Sequence, residues 1–309
     1  MTLGALLRNA GLQPRALAAW AGTDRIPLVA RRLGELGAPP ASPASAALVL
    51  FVAGAEVPRA LLAPVLAASD LVAPSGTASL LARVAILPAG RALVVCDRAD
   101  RAGDDVVCWP DDSSYHLAAA IPPGRVESWL DLGCGSAFAP LVHPERATAI
   151  VGSDLNPRGA RFARLGAELS GIGHLAIREG DLADAAPERF ALVTCNAPIP
   201  DHDGPMWSAT TTDFVARLYD HAARAVQPAG VVVVHAVLDA LVPVVTALPG
   251  ERTVVAYTPL DGPREFGVAW WRPGAEARLT LARRALTTDR PHLDHDDRLA
   301  ALAGTLPPV

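Results

Sequence analysis

Trp129-Leu130-Asp131-Leu132-Gly133-Cys134-Gly135-Ser136 decides the reading of this chain. An apolar run ends in an acid and breaks into a Gly-x-Gly turn. A second strand-like run closes at Asp154, twenty-three residues after the first acid. Glycine permits a sharp turn and lets backbone approach a ligand with no Cβ in the way. A carboxylate at the second strand end can accept both hydroxyls of a ribose. The pattern is that of an adenosine-cofactor site at the first crossover of a βαβ unit.

The spacing also discriminates between cofactors. A dinucleotide fingerprint wants a third glycine at position 138, where this chain has Phe138. Asp131, two residues before the first glycine, is poorly placed for a pyrophosphate because like charges repel. It suits a cationic ligand that carries an ammonium and a sulfonium.

Two more strand ends follow. Leu175 to Gly180 leads into Asp181-Leu182, and Arg189 to Cys195 leads into Asn196-Ala197-Pro198-Ile199. With these motifs in order, the chain resembles the class I S-adenosylmethionine (SAM)-dependent methyltransferases. Within them it resembles the subgroup whose fourth strand ends in Asn-Pro-Pro-Tyr, the small-domain, release-factor-glutamine and rRNA guanine-N2 methyltransferase type. The run Gly152-Ser153-Asp154-Leu155-Asn156-Pro157-Arg158, with Ala160, Phe162, Ala163 and Arg164, looks like the same subgroup. The resemblance spans Asp112 to Arg272.

The resemblance implies SAM as cofactor and a role for each matching position. Asp131, Gly133, Gly135 and Ser136 would line the methionine part. Asp154 would hold the ribose, with Leu155 beside the adenine, and Asp181-Leu182 would meet the adenine amino edge. Asn196, Ala197 and Pro198 would sit at the transferring methyl. Tyr115, in Asp112-Ser113-Ser114-Tyr115, lies where relatives cover the methionine end.

Asn196 also has a rationale of its own. A planar amino group is a poor nucleophile because its lone pair is delocalised. An Asn oxygen and the next backbone carbonyl can both accept from that NH2 and fix it in line with the S–CH3 bond. Here Asn-Pro-Pro-Tyr has become Asn-Ala-Pro-Ile, so Ile199 offers no aromatic face for stacking; Trp207 could supply one from the following loop. His202 could act as a base or be an ordinary loop histidine. Structural readings stay open beside these: Asp154 as a cap for the Asn156-Pro157 helix start, Asp181 and Asn196 as turn formers. The tail His292-Leu293-Asp294-His295-Asp296-Asp297 reads as a solvated terminus, and no metal is expected.

Composition narrows the field. All 27 basic residues of the 309 are arginine. The absence of lysine excludes a Schiff-base or Walker-type lysine, and with them pyridoxal enzymes and P-loop nucleotidases. A formal charge of −5 gives no global attraction for nucleic acid, so a nucleic-acid partner stays open, as does a homodimer. No apolar run approaches the roughly 20 residues of a membrane span. Cys96, Cys108, Cys134 and Cys195 form no CxxC pair and read as buried, reduced thiols of a cytoplasmic protein.

The expected architecture is α/β: a doubly wound, seven-stranded Rossmann-like domain over residues 111–275, behind a mainly helical, winged-helix-like domain over 1–110, with an extension over 276–309. Helices are expected at Leu3–Ala21, Arg25–Leu36, Ala46–Ala55 and Arg59–Ala68. A hairpin is expected from Ala82–Leu87 and Ala92–Cys96 about Pro88-Ala89-Gly90. The expected function is methylation of a planar nitrogen. The alternatives are a tailoring N- or O-methyltransferase of a small molecule or peptide natural product, and a non-enzymatic winged-helix regulator with a ligand-sensing domain.

Overall fold

A computed structural model describes residues 1–22, 35–198, 211–258 and 264–284. The expected helix at Arg25–Leu36 and the acidic, histidine-bearing tail lie largely or wholly outside them.

The sheet follows from the apolar runs. Strands β6 (Val126–Leu132), β7 (Ala147–Asp154), β8 (Leu175–Glu179), β9 (Phe190–Asn196), β10 (Val226–Val237), β11 (Glu251–Tyr257), β12 (Phe266–Arg272) and β13 (Arg278–Arg284) form one mixed sheet. Its spatial order is β13-β11-β12-β10-β9-β6-β7-β8. Strands β6 to β10 run parallel, and β12 lies antiparallel between β10 and β11. Eight strands, not seven, make the sheet: β13, from the expected C-terminal extension, pairs parallel with β11. Pro228-Ala229-Gly230 forms an irregularity within β10, where the register shifts between Val226 and Val231.

Helices cover both faces, so residues alternate between two cores. Trp129, Leu192 and Val233 face one core with Phe138 and Phe162, whereas Leu130, Val193 and Val234 face the other with Val215, Leu218 and Leu241. The first face carries α5 (Asp112–Ala119), α6 (Phe138–Val142) and α7 (Pro157–Ser170); the second carries α8 (Thr212–Ala225) and α9 (Leu238–Ala247). Helix α7 begins with an Asn156 cap on the Arg158 N–H and ends at Gly171, in the left-handed region.

The described N-terminal residues are less helical than their periodicity predicts. Leu3–Ala21 divides into α1 (Leu3–Asn9) and α2 (Pro14–Ala21), because Gly11 has φ +97° and Pro14 opens a new helix. Helix α3 (Ala46–Phe51) forms, but Arg59–Ala68 yields only a 3-10 turn and the four-residue α4 (Pro64–Ala67). Strands β1 (Val57–Pro58), β2 (Val72–Ser75) and β3 (Ser79–Ala82) form a small sheet the sequence did not announce, since each is short and interrupted by Pro, Ser or Gly. The hairpin is β4 (Ala85–Ala89) and β5 (Ala92–Cys96), turning at Gly90-Arg91, so Pro88 and Ala89 of the expected Pro88-Ala89-Gly90 turn belong to β4.

These elements clamp α7. Strand β5 runs beside it, with the Leu93 N–H donating to Ser170 Oγ at 2.9 Å. Asp97, 1 % exposed, accepts from Arg158 Nε and the Val107 N–H at 2.9 Å each. Asn156 Nδ2 donates to the Asp105 carbonyl at 3.0 Å. The start of α7, which follows Asp154 closely in sequence, is thus held from outside the sheet. Cys96, Cys134 and Cys195 are buried as expected, but Cys108 is exposed. No helix among the described residues is long and apolar enough to cross a membrane.

Helix α1 approaches the end of α7 so closely that a Cβ on Gly4 would stand 1.9 Å from the Leu169 carbonyl oxygen. Backbone cannot swing aside as a side chain can. Gly4→Ala is expected to cost about 1–3 kcal/mol, read as a lowered urea midpoint; a midpoint equal to the parent's would refute this packing.

Candidate functional site

Parallel pairing brings the acidic strand ends together. Asp131 lies opposite Gly152 of β7 and Thr194 of β9. Gly133 and Gly135 turn the chain out of β6 with φ of +60° and +52°, a region that costs other residues roughly 1–2 kcal/mol. A Cβ at either would meet nothing within 4 Å. Beside the loop there is open space, not packed protein.

Asp154 closes this loop. Its Oδ2 accepts from the Gly135 N–H at 2.6 Å and its Oδ1 from the Asn156 N–H at 2.7 Å. Asn156, not Asp154, is the cap of α7. Burial pushes the Asp154 carboxyl up, against the pull of the two N–H donors. Leu155 next to it is 53 % exposed, an apolar side chain left in water at the strand end.

Asp131 is only 4 % exposed. Burial raises its pKa to about 7, against a hydrogen bond from Thr194 and with a smaller push from the Asp154 charge. Thr194 Oγ1 donates to Asp131 Oδ1 at 2.5 Å and accepts from Trp129 Nε1 at 2.7 Å.

Other expected residues are spread around this centre. Asp181 ends the turn after β8, with its Oδ2 accepting from Arg217 Nη1 at 2.8 Å. Leu182 follows, buried, at φ +44°. Ser136 is buried within the Gly loop. Tyr115 is buried too, its ring 4.4 Å from that of Phe138, so it underlies the loop instead of lining a free surface.

Asn196 stands at the end of β9. Its Nδ2 donates to Ser113 Oγ at 2.8 Å, and Ser113 Oγ in turn donates to Asp111 Oδ1. The Asp111 side chain also caps α5 through the Ser113 and Ser114 N–H groups. A carboxylate can only accept, so it draws the Ser113 proton, and Ser113 must then accept from the amide. That polarity leaves the buried Asn196 Oδ1 as the free end, and no described residue donates to it. Ala197 is buried and its N–H donates to the His235 carbonyl at 2.9 Å; Pro198 follows, half-buried. Ile199, His202 and Trp207 lie outside the described residues.

His235 pairs with Asn196 across the sheet. Its Nε2 shares a 2.5 Å hydrogen bond with Tyr257 Oη, and Phe266 stacks on its ring. His116 of α5 packs edge-on to Tyr257 at 4.5 Å. Burial lowers both histidines to about 3, with His116 adding to the effect on His235, so both are neutral at pH 7. Sequence reading missed Thr194, Trp129, Ser113, His235 and Tyr257. One signal was available: Thr194 and Asn196, two apart in an otherwise apolar strand, place two polar groups on one face.

The arrangement fits a cationic adenosyl ligand. It offers a buried carboxylate pair with, among the described residues, no buried cation against it, an open cradle over two glycines and an exposed apolar side chain beside it. Among the described residues no group of three His, Cys, Asp or Glu is placed to hold a metal ion.

Comparison with known proteins locates the same segment. Residues 108–249 match the family model described as "Methyltransferase small domain". No curated protein matches. Similar solved structures include the ribosomal protein L11 methylase of Lactobacillus delbrueckii subsp. bulgaricus, 17 % identical, covering 52 % of this chain and 76 % of that one, TM-score 0.38. A methyltransferase from Pyrococcus furiosus is 15 % identical, covering 52 % and 81 %, TM-score 0.42. A protein from Streptococcus mutans, solved in complex with SAH (S-adenosylhomocysteine), is 15 % identical, covering 50 % and 93 %, TM-score 0.39.

The Asp131 carboxyl makes stability depend on pH. Its folded pKa of about 7 exceeds its ordinary value, so its contribution is full below the usual carboxylate range and is lost as pH rises toward 7. The ligand-free chain should therefore lose stability relative to Asp131→Asn across that window. Melting temperatures of the two proteins from pH 5 to 8 test this; parallel curves would contradict it.

Proposed function

We propose that this S-adenosylmethionine-dependent methyltransferase transfers its methyl group to a planar nitrogen, an amide or a nucleobase amine. The observation that supports the reading is the buried Asn196 Oδ1, to which no described residue donates and whose orientation Asp111 and Ser113 dictate. An acceptor oxygen held in that way is complementary to an N–H donor and not to a lone pair. Leaving it unmet costs about 1–3 kcal/mol in the resting protein, a cost that an arriving NH2 group removes.

Asp131 would face the ammonium end of the cofactor and Asp154 the ribose hydroxyls. Leu155 would cover one side of the adenine, and Asp181-Leu182 its amino edge. The backbone of Gly133, Gly135 and Ser136 would follow the methionine part. Bound SAM supplies a methyl group activated by its sulfonium charge.

Asn196 Oδ1 and the carbonyl of Ala197, whose N–H is already tied to β10, would hold the two protons of the acceptor NH2. That aims the nitrogen lone pair along a single line, and positioning is the main gain available. His116 and His235, neutral and buried with Tyr257 and Phe266, wall this side of the site and are unsuited to general-base work near pH 7. Residues 1–110, short helices followed by the β4–β5 hairpin, are proposed as a winged-helix-like appendage bracing α7, and 276–309 as an extension that begins with β13.

The test uses tritium-labelled SAM with separated protein, RNA and small-molecule fractions of a cell extract. Label recovered after hydrolysis as methylamine or an N-methylated base, and lost at least a hundredfold with Asn196→Ala while SAH binding persists, supports nitrogen transfer. Label recovered as methanol or as an O-methyl ether, or transfer indifferent to Asn196→Ala, overturns it.

A further inference from the structure

We propose that Thr194, held by Trp129, is a positioning residue of the cofactor site whose hydroxyl fixes Asp131 as the anionic partner of the cofactor's ammonium group. The inference rests on the reading of Asp131 given above and extends it to two residues that do not reach the open cradle.

Hydrogen-bond direction carries the argument. An indole Nε1–H is only a donor, so Trp129 must donate to Thr194 Oγ1. With that lone pair taken, the single Thr194 proton turns to Asp131 Oδ1 at 2.5 Å. Trp129 and Thr194 are both 0 % exposed, so no water competes for either group. The three residues come from β6 and β9, locked in register by Trp129 opposite Leu192 and Asp131 opposite Thr194. Oδ1 is thereby oriented, and among the described residues nothing donates to Oδ2. The chain of donors ends on the oxygen pair that would meet a cation.

A donor hydrogen bond favours the charged form of a carboxyl, and here it opposes burial. The other titratable groups facing Asp131 are Asp154 at the end of β7, Cys134 on the loop and Cys195 on β9. Asp154 adds negative charge, and burial pushes both thiols up, so they stay neutral. Thr194 is thus the one group among them that draws Asp131 toward its anion. At neutral pH an arriving ammonium needs that anion, and any proton on Asp131 must leave as the cation binds.

Calorimetric titration with S-adenosylhomocysteine, which carries the same ammonium, from pH 5.5 to 8.5 tests the relay. The parent protein is expected to bind with constant affinity above about pH 7 and to weaken toward tenfold per pH unit below it. Thr194→Val should shift this turning point upward by about one unit, giving roughly fivefold weaker binding at pH 7 that narrows by pH 8.5. Thr194→Ser, which keeps the hydroxyl, should restore the parent profile. Trp129→Phe should shift the profile in the same direction by less, and provides a second readout if Thr194→Val does not fold. If neither variant shifts the profile while Asp131→Asn abolishes it, the relay is wrong and the cofactor reading survives. If Asp131→Asn keeps the parent profile, the reading of Asp131 fails and the relay with it.

Discussion

Two carboxylates that repel each other and have lost most of their water organise this molecule. Parallel pairing of β6 with β7 sets Asp131 and Asp154 at adjacent strand ends, and the helices on both faces bury them. Each is pushed toward its neutral form by that burial. Fixed donors offset part of the cost: Thr194 for Asp131, and the Gly135 and Asn156 N–H groups for Asp154. Among the described residues no arginine pairs with either. In the proposed function a cationic ligand completes the pair.

Much of the surrounding structure restrains these acids. Gly133 and Gly135 take left-handed conformations so that the loop can return to Asp154. Asn156 caps α7 directly after it, and the N-terminal segment grips α7 through Asp97, Leu93 and Asp105. On the other side, Asp111 caps α5 and, through Ser113, orients the amide of Asn196. The end proposed for the cofactor and the end proposed for the acceptor share one device: at Asp131 a hydroxyl fixes a carboxylate, and at Asn196 a carboxylate fixes a hydroxyl that orients an amide.

The histidines beside Asn196 show how position alters chemistry. His202, which the sequence offered as a base, falls outside the described residues, while His116 and His235 proved to be buried. In a dry setting imidazole stays neutral at pH 7. Together with Tyr257 and Phe266 they form an aromatic wall, which Ile199 does not provide in the motif itself.

The sequence by itself determined the order of strands and crossovers from β6 to β12, because apolar runs ending in an acid, a glycine or an asparagine are local signals. It also picked out Asp131, Asp154 and Asn196, since each closes such a run. Only the tertiary structure decided what those residues touch. Thr194 reaches Asp131, and Ser113 reaches Asn196, across 63 and 83 positions of chain; no periodicity records contacts at that separation. The eighth strand and the small N-terminal sheet were hidden for the same reason. Their segments are short, or rich in Arg, Pro and Ser, and become strands only when a neighbour presents an edge to pair with.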